Sequence, residues 1–482
     1  MYIRARNLAN FFKMTPKLKE QNQGSLFFSL RDTLNPKHPL FVLANPIQWD
    51  TFEKAFKGLY CPDNGRPAKP IRLMVGLLML KRIRNLSDES VVEQWSENNY
   101  FQYFTGENAF VPGVPCEPSE LVHFRKRIGE SRVELILKES IRVNGKDALD
   151  PHVNVDTTVQ EKNITYPTDA KLHKKIIQKC KAIAQKEGIE LRQSYSRTLK
   201  KLAQDQRFRN HPKNKTKALK ADRKMKTIAG RLVRELERKL TPESKYQKDL
   251  ELFFQVLMQQ KDSKKKIYSL HEPSVVCISK GKEHRKYEFG NKVSIAKTDS
   301  GVIVGALSFR DEYDGHTLLP TLQQVKRLVG HMPKWVKADR GYRGNKQIEE
   351  TEILIPSKPR KSMSYYQRKK LSDSHKKRAG IEPVIGHLKT DHRLSRNFYK
   401  GFVGDNINIM LAAAAFNFKR MMNKWKQKFF HFFQTLFFHF QRLFFHFIFH
   451  PLFSKKLKIN FKGRLVNPLR GCGSTDLSLP PV

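Results

Sequence analysis

Three acidic residues stand in settings where acids are out of keeping: Asp156 in the β-branched run VNVDTTV, Asp339 in VKADRGYRG, and Glu382 in KKRAGIEPVIGHLK. Displacement at a phosphodiester needs such groups, because the attacking, leaving and non-bridging oxygens all carry charge in the transition state. Hard divalent cations prefer carboxylate oxygens, and two of them held roughly 3.5–4 Å apart stabilise both the entering and the departing oxygen. Two acids at or near strand ends and a third on a following helix can supply those ligands. Glu382 also has company: Arg378 lies four residues before it and Lys389 seven after. Both offsets return close to the starting direction of a helix at about 3.6 residues per turn, so the three share one face. Pro383 places Glu382 at a helix start or kink. Taken singly, each acid has an ordinary reading: Glu382 as an exposed ion pair of little weight, Asp156 as a turn cap, Asp339 as the turn residue ahead of Gly341. The ordered set in a basic chain is what points to chemistry. The acids of RDEYDGH, Asp311, Glu312 and Asp314, read instead as the polar end of a strand and the N-cap region of a helix.

The chain that must position these residues has 482 of them, enough for two or three domains with a sizeable core. Its 91 Lys and Arg against 46 Asp and Glu leave a net charge of +45, which implies a polyanionic partner, nucleic acid before membrane. That balance suits an enzyme on DNA and a DNA-packing protein equally. Cys61, Cys116, Cys180, Cys277 and Cys472 are scattered without C-x-x-C pairs or His at finger spacing, which speaks for a reducing cytosol and against a zinc or disulfide framework. The N-terminal MYIRARNLANFFKM lacks the apolar run and cleavage site of a signal peptide, so a cytoplasmic, nucleoid-associated location is expected.

Residues 1–145 read as mostly helical. Pro70 marks one helix start, Leu73, Leu77, Leu78 and Leu80 give an apolar face, and Ser87 is an N-cap with Asp88 and Glu89 in the first turn. EPSELVHFRKRIGE adds a helix carrying Arg125, Lys126 and Arg127. Such a region either holds DNA or forms a dimerisation bundle. From 150 to 420 the period changes. VNVDTTV is a strand; YEFGNKVSIAKTDSGVIVGALSF is two strands joined at TDSG; TLLPTLQQVKRLVG is an amphipathic helix; KWVKADRGYRG is a strand, NKQIEETE a short helix and ILIPS a strand. This order describes a mixed sheet flanked by helices, an α/β core. It is interrupted at about 171–270 by a stretch with 29 Lys and Arg against 10 Asp and Glu, whose periodic segments predict helices. That insertion is either a solvated spacer or a surface facing a duplex. Residues 421–482 form a basic and aromatic tail in which FFHF recurs at 429, 437 and 444; Gln434, Gln441 and Arg442 interrupt it, which makes a membrane span unlikely to be encoded there. Its histidines 431, 439, 446 and 450 suit packing better than metal binding.

The motifs VDTTVQ, ADRGYRG and R-x-x-x-E-x-x-x-x-x-x-K, the last met by Arg378, Glu382 and Lys389, resemble the DDE transposases of bacterial insertion sequences, in particular the branch called insertion sequence five, over about residues 40–420. The resemblance implies a ribonuclease H-like core behind a helical N-terminal DNA-binding domain. It implies that Asp156, Asp339 and Glu382 are the catalytic, metal-binding triad for two Mg²⁺ ions, with Mn²⁺ able to substitute. It further implies phosphate contacts from Arg378, Lys389, His375, Arg340 and Arg343, and a homo-oligomer acting on double-stranded DNA, both terminal inverted repeats and target, with no small-molecule substrate. Many relatives carry Tyr three positions before the Arg; here that residue is His375, which can still donate a hydrogen bond to phosphate. The rival expectation is a DNA-binding protein without catalysis, a packing protein or a decayed transposase.

Overall fold

The computed structural model describes residues 29–448 except 62–66, 261, 280–285, 343, 345, 356–359 and 361. The chain opens with short helices α1 (Leu30–Thr33), α2 (Pro39–Ala44) and α3 (Trp49–Lys57), followed by α4 (Ile71–Ile83), α5 (Asp88–Glu97), α6 (Asn99–Phe104) and α7 (Pro118–Val143). Their boundaries follow local chemistry. Pro70 immediately precedes α4, and the Ser87 hydroxyl accepts the Ser90 N–H at 3.0 Å to cap α5, with Asp88 and Glu89 facing the helix dipole. Helix α7 changes direction at Gly129, whose φ of 65° is a left-handed conformation that a side chain would strain. Arg125, one of the three cations of this helix, is buried. It grips Asp88 through two hydrogen bonds of 2.6 and 2.8 Å, so its charge is spent inside the protein.

Strand β1 (His152–Lys162) leads into the insertion: α8 (Asp169–Lys186), α9 (Ser196–Asp205), α10 (Pro212–Lys239) and α11 (Gln247–Met258). These helices bury an apolar cluster of their own around Ile176, Cys180, Met225, Leu232 and Phe253. The core resumes with β2 (Val276–Ser279), β3 (Tyr287–Thr298), β4 (Ile303–Phe309), α12 (Asp314–Val329), β5 (Trp335–Lys337), β6 (Gln347–Ile348), β7 (Thr351–Leu354), α13 (Tyr365–Ala379), α14 (Ile381–Asp391), β8 (Arg396–Asn397) and α15 (Gly401–Ile448).

Five of these strands lie in the order β4-β3-β1-β5-β7. The first three in the chain, β1, β3 and β4, pair antiparallel, while β5 and β7 run parallel to β1. This is the ribonuclease H-like arrangement. Strand β4 has β3 as its one strand partner among those described, and three of its other backbone donors are met by side chains. The N–H groups of Ile303, Ala306 and Ser308 reach Asn417, Gln324 and Asn406 at 2.9, 2.7 and 2.7 Å. The buried asparagines of α15 thus cover a sheet edge that would otherwise stay unsatisfied.

Two expectations about local structure change. NKQIEETE forms no helix: β6 and β7 make an antiparallel hairpin turning at Glu349, whose φ is 50°. Eight residues are too few to hold a helix by themselves, and β7 gains backbone bonds by pairing with β5. The strand expected over KWVKADRGYRG ends at Lys337; beyond it the chain enters a 3₁₀ turn at Arg340–Tyr342.

The described residues up to Asn423 form one unit, and those from Lys424 to Ile448 belong to a second. In the second, residues 424–448 are helical, with Leu436, Phe437, Phe438 and Phe440 exposed. His439 is exposed; the side chains of His431 and His446, and all of His450, lie outside the described residues. No described helix is long and apolar enough to cross a membrane.

Candidate functional site

Parallel pairing of β1 with β5 sets the site. His152, Val153 and Asn154 lie opposite Trp335, Val336 and Lys337. Asp156 and Asp339 each stand two residues beyond the last pair, so the two acids come level where β5 ends. Asp156 is well inside β1 rather than at its end. There, it and Thr157 are two adjacent half-exposed residues within an otherwise buried stretch.

Asp156 Oδ1 accepts the Thr157 N–H at 2.8 Å. Its carboxyl is pushed up to about 6, chiefly by burial; the carboxylates of Asp339 and Glu382 add to the shift, against the Thr157 hydrogen bond and the Arg378 charge. All three groups therefore act on Asp156 through space. Asp339 Oδ1 accepts the Gly341 N–H at 2.8 Å, which curls the chain into the 3₁₀ turn. A Cβ on Gly341 would lie 3.0 Å from Asp339 Oδ1 and 3.3 Å from Asp314 Oδ2, so a larger residue would displace one acid or the other.

Asp314, expected in the N-cap region of a helix, lies near Asp339 across Gly341. It begins α12 and accepts the Thr157 hydroxyl at 2.9 Å and the Lys292 ammonium at 2.9 Å. Lys292 is itself anchored on the Glu312 carbonyl at 2.6 Å. The buried Tyr342 phenol beneath is held up by burial first and then by Asp314, Asp156 and Asp339. One signal for Asp314 existed. Strand β4 runs parallel to β1, so a helix that starts directly after β4 delivers its first residue toward the same end of the sheet.

Glu382 lies in the first turn of α14, which packs against β1. It is exposed and stands 3.7 Å from Arg378, the pair joining α14 to the last turn of α13 across Gly380. The single helical face expected for Arg378, Glu382 and Lys389 is thus divided between two helices. Lys389, in the last turn of α14, and His375, on α13, are half-buried; Arg340 is exposed directly after Asp339; Arg343 lies outside the described residues. The donor chemistry, carboxylate oxygens in one another's field, suits a hard divalent cation. Among the described residues, however, no three acidic, His or Cys side chains converge closely enough to hold one ion.

Comparison with known proteins bears on this site. Residues 28–127 match a transposase domain (DUF772), and residues 276–418 match a transposase DDE domain. The second match contains Asp314, Asp339, Glu382 and every expected phosphate contact; Asp156 and the insertion fall between the two. A Rhizobium meliloti relative, described as an uncharacterized protein ORF8 in the nfe locus, is 43% identical over 196 residues, which cover 39% of this chain and 94% of the relative. No solved structure matches. With the ribonuclease H-like strand order, the two transposase matches assign the chain to a family: it belongs to the DDE transposases of insertion sequences.

Proposed function

We propose that this transposase binds the terminal inverted repeats of its mobile element, nicks DNA there with water, and joins the freed 3′-hydroxyl to target DNA at one carboxylate site. The observation that carries the proposal is the register of β1 with β5, which brings Asp156 and Asp339 level with each other, with the Glu382 charge acting on Asp156. DDE transposases typically use divalent metals; Asp156, Asp339 and Glu382 would hold Mg²⁺ or Mn²⁺, which supplies Lewis-acid stabilisation of the oxygens at phosphorus. The protein's own residues then do the positioning. Arg340, exposed beside Asp339, is set to hold a phosphate of the strand being cut. Arg378 moderates the repulsion between Asp156 and Glu382 and, with His375 and Lys389, steadies the backbone on the α13–α14 side, while Arg343 is a further phosphate contact. The N-terminal helices up to residue 145 grip the element end, the basic insertion lies along duplex, and a homo-oligomer brings two ends together on nucleoid DNA in the cytoplasm.

The second reading is a protein that binds ends without cutting them. The exposed position of Glu382, turned toward Arg378, favours it. The test is nicking of a labelled duplex carrying the mobile element's own end in Mg²⁺, wild type against Asp339→Ala. Loss of outer-shell partners alone costs about 10–100-fold at metal sites, so removing a ligand is expected to lower nicking by more than about 100-fold with end binding intact. Equal nicking by both proteins would remove Asp339 from the site. Binding without nicking by the wild type would favour the second reading.

A further inference from the structure

Helix α10 carries a feature that the catalytic site does not use. Lys213, Lys217, Lys220, Lys224, Arg231, Arg234 and Arg238 recur at spacings of three, four and seven, so they fall within about a third of the helix circumference. All seven are exposed, while Ala221, Met225, Leu232 and Leu236 on the other side are buried in the insertion's own core. The row runs for about 37 Å at about 1.5 Å per residue, close to one turn of a DNA duplex at about 34–36 Å.

Folding alone does not account for this row. Solvated helix faces gain from opposite charges at i,i+4, yet 213/217, 220/224 and 234/238 set like charges there. No acid occupies the first turn, and Lys213 and Lys215 stand at the end where the helix dipole disfavours cations. The helix has three acids. Asp222 turns to Arg209 at 2.6 Å, and Glu235 to the Arg192 N–H at 2.9 Å and Lys239 at 3.1 Å; Glu237 is the exposed one. In the row, Lys217 also reaches Asp205 at 3.0 Å while staying 65% exposed.

We infer that this face of α10 is a docking surface for the phosphate backbone of duplex DNA irrespective of sequence, separate from the carboxylate cleft. The inference rests on the reading of this chain as a protein that handles DNA, and it names where duplex lies on the insertion. A straight row of cations on a rigid helix contacts phosphates and carries no base readout, which suits target or flanking duplex rather than a defined repeat.

The full-length protein is titrated with a labelled duplex of about 30 base pairs lacking the terminal repeat, across a salt series. The variant replaces Lys220, Lys224, Arg231 and Arg234 with Gln, an exposed set exchanged for a good helix former. Each phosphate contact contributes about 0.9 to the slope of log affinity against log salt, so the slope is expected to fall by about 3–4. Two double variants, Lys220/Lys224 and Arg231/Arg234 to Gln, are each expected to lose about 2, and they keep the test open if the quadruple variant misfolds. A control with Arg197, Lys200, Lys201 and Lys248 changed to Gln, exposed cations of the same insertion off this face, keeps the wild-type slope. An unchanged slope in the row variants overturns the inference, as does equal loss in the control. Tighter wild-type binding to phosphatidylserine vesicles than to duplex, lost in the row variants, also overturns it. Nicking run alongside separates the two readings: nicking with an unchanged slope rejects this surface alone, and a lost slope without nicking rejects the catalytic reading and leaves the surface standing.

Discussion

Asp314 shows how much of the site depends on one side chain's neighbours. It shares Thr157 with the strand that carries Asp156, holds the Lys292 charge, and faces Asp339 across Gly341. On the proposed function it would be a positioning residue for the other two acids, acting through Thr157 and the turn at Gly341. Asp314→Asn keeps the size and can still accept from Thr157, but it loses the ion pair with Lys292 and the negative charge beside Asp339. We expect nicking to fall by about 10–100-fold, the Mg²⁺ concentration for half-maximal nicking to rise, and end binding to stay the same, because supporting groups at metal sites carry effects of that size. Wild-type nicking and Mg²⁺ dependence in this variant would leave Asp314 as a helix cap and nothing more. The sequence exposes Asp156, Asp339 and Glu382 because each interrupts a run of contrary character. It hides Asp314, since an acid in the first turn of a helix is an ordinary dipole partner and only the three-dimensional path of β4 gives it another role.

Among the secondary-structure elements, those with a strong period or a capping residue were legible, and those decided by distant partners were not. The start of α5 at Ser87 and the turn joining β3 to β4 follow from local residues. The β6–β7 hairpin exists because β5 lies beside it, and the break between α13 and α14 could be read only as a helix start near Pro383. The junction after α14 illustrates the same dependence. His392 is buried against α4, its Nδ1 3.0 Å from the Arg82 carbonyl, while Arg82 Nη1 donates back to the His392 carbonyl at 3.3 Å. Burial pushes this imidazole down to about 4 from an ordinary 6.5. Because the folded value is the lower one, the unfolded chain takes up the proton first, so the contribution is present above about 6.5 and is lost as pH falls toward about 4. A shift of this size corresponds to about 3 kcal/mol. Chemical denaturation of wild type and His392→Asn across this range should show a steeper loss of stability in the wild type. Parallel pH curves would mean that His392 does not titrate in the fold.

On the scale of the whole molecule, the net charge of +45 coexists with a seam where cations are buried and held by few anions. Lys81 and Arg125 reach Asp88 at 2.8 and 2.6 Å, and together with Arg82 they lie over the ring of Tyr399, within 5.6 Å of its centroid. Burial disfavours ionisation of both the Asp88 carboxyl and the Tyr399 phenol, but the cations prevail: Asp88 is held below the usual carboxylate range, and the Tyr399 phenol is brought down to about 8. Lys81, Arg82, Asp88 and Arg125 belong to the N-terminal helices, whereas Tyr399 stands between β8 and α15 of the sheet domain, so the seam joins the two transposase-matched regions. The change of period between residues 1–145 and 150–420 is legible in the sequence, yet the cation–ring contacts to Tyr399 that tie these regions lie some 270–320 residues apart and leave no local trace there. Asp88→Ala would leave Lys81 and Arg125 buried beside Arg82 without their carboxylate. Removing one partner of a buried pair typically costs about 3–5 kcal/mol. The expected result in calorimetry is a single unfolding transition at a lowered midpoint, because helices and sheet share the seam and lose it together. A variant in which the sheet region keeps the wild-type midpoint while the helices melt separately would show that the seam decorates the junction without coupling its two sides.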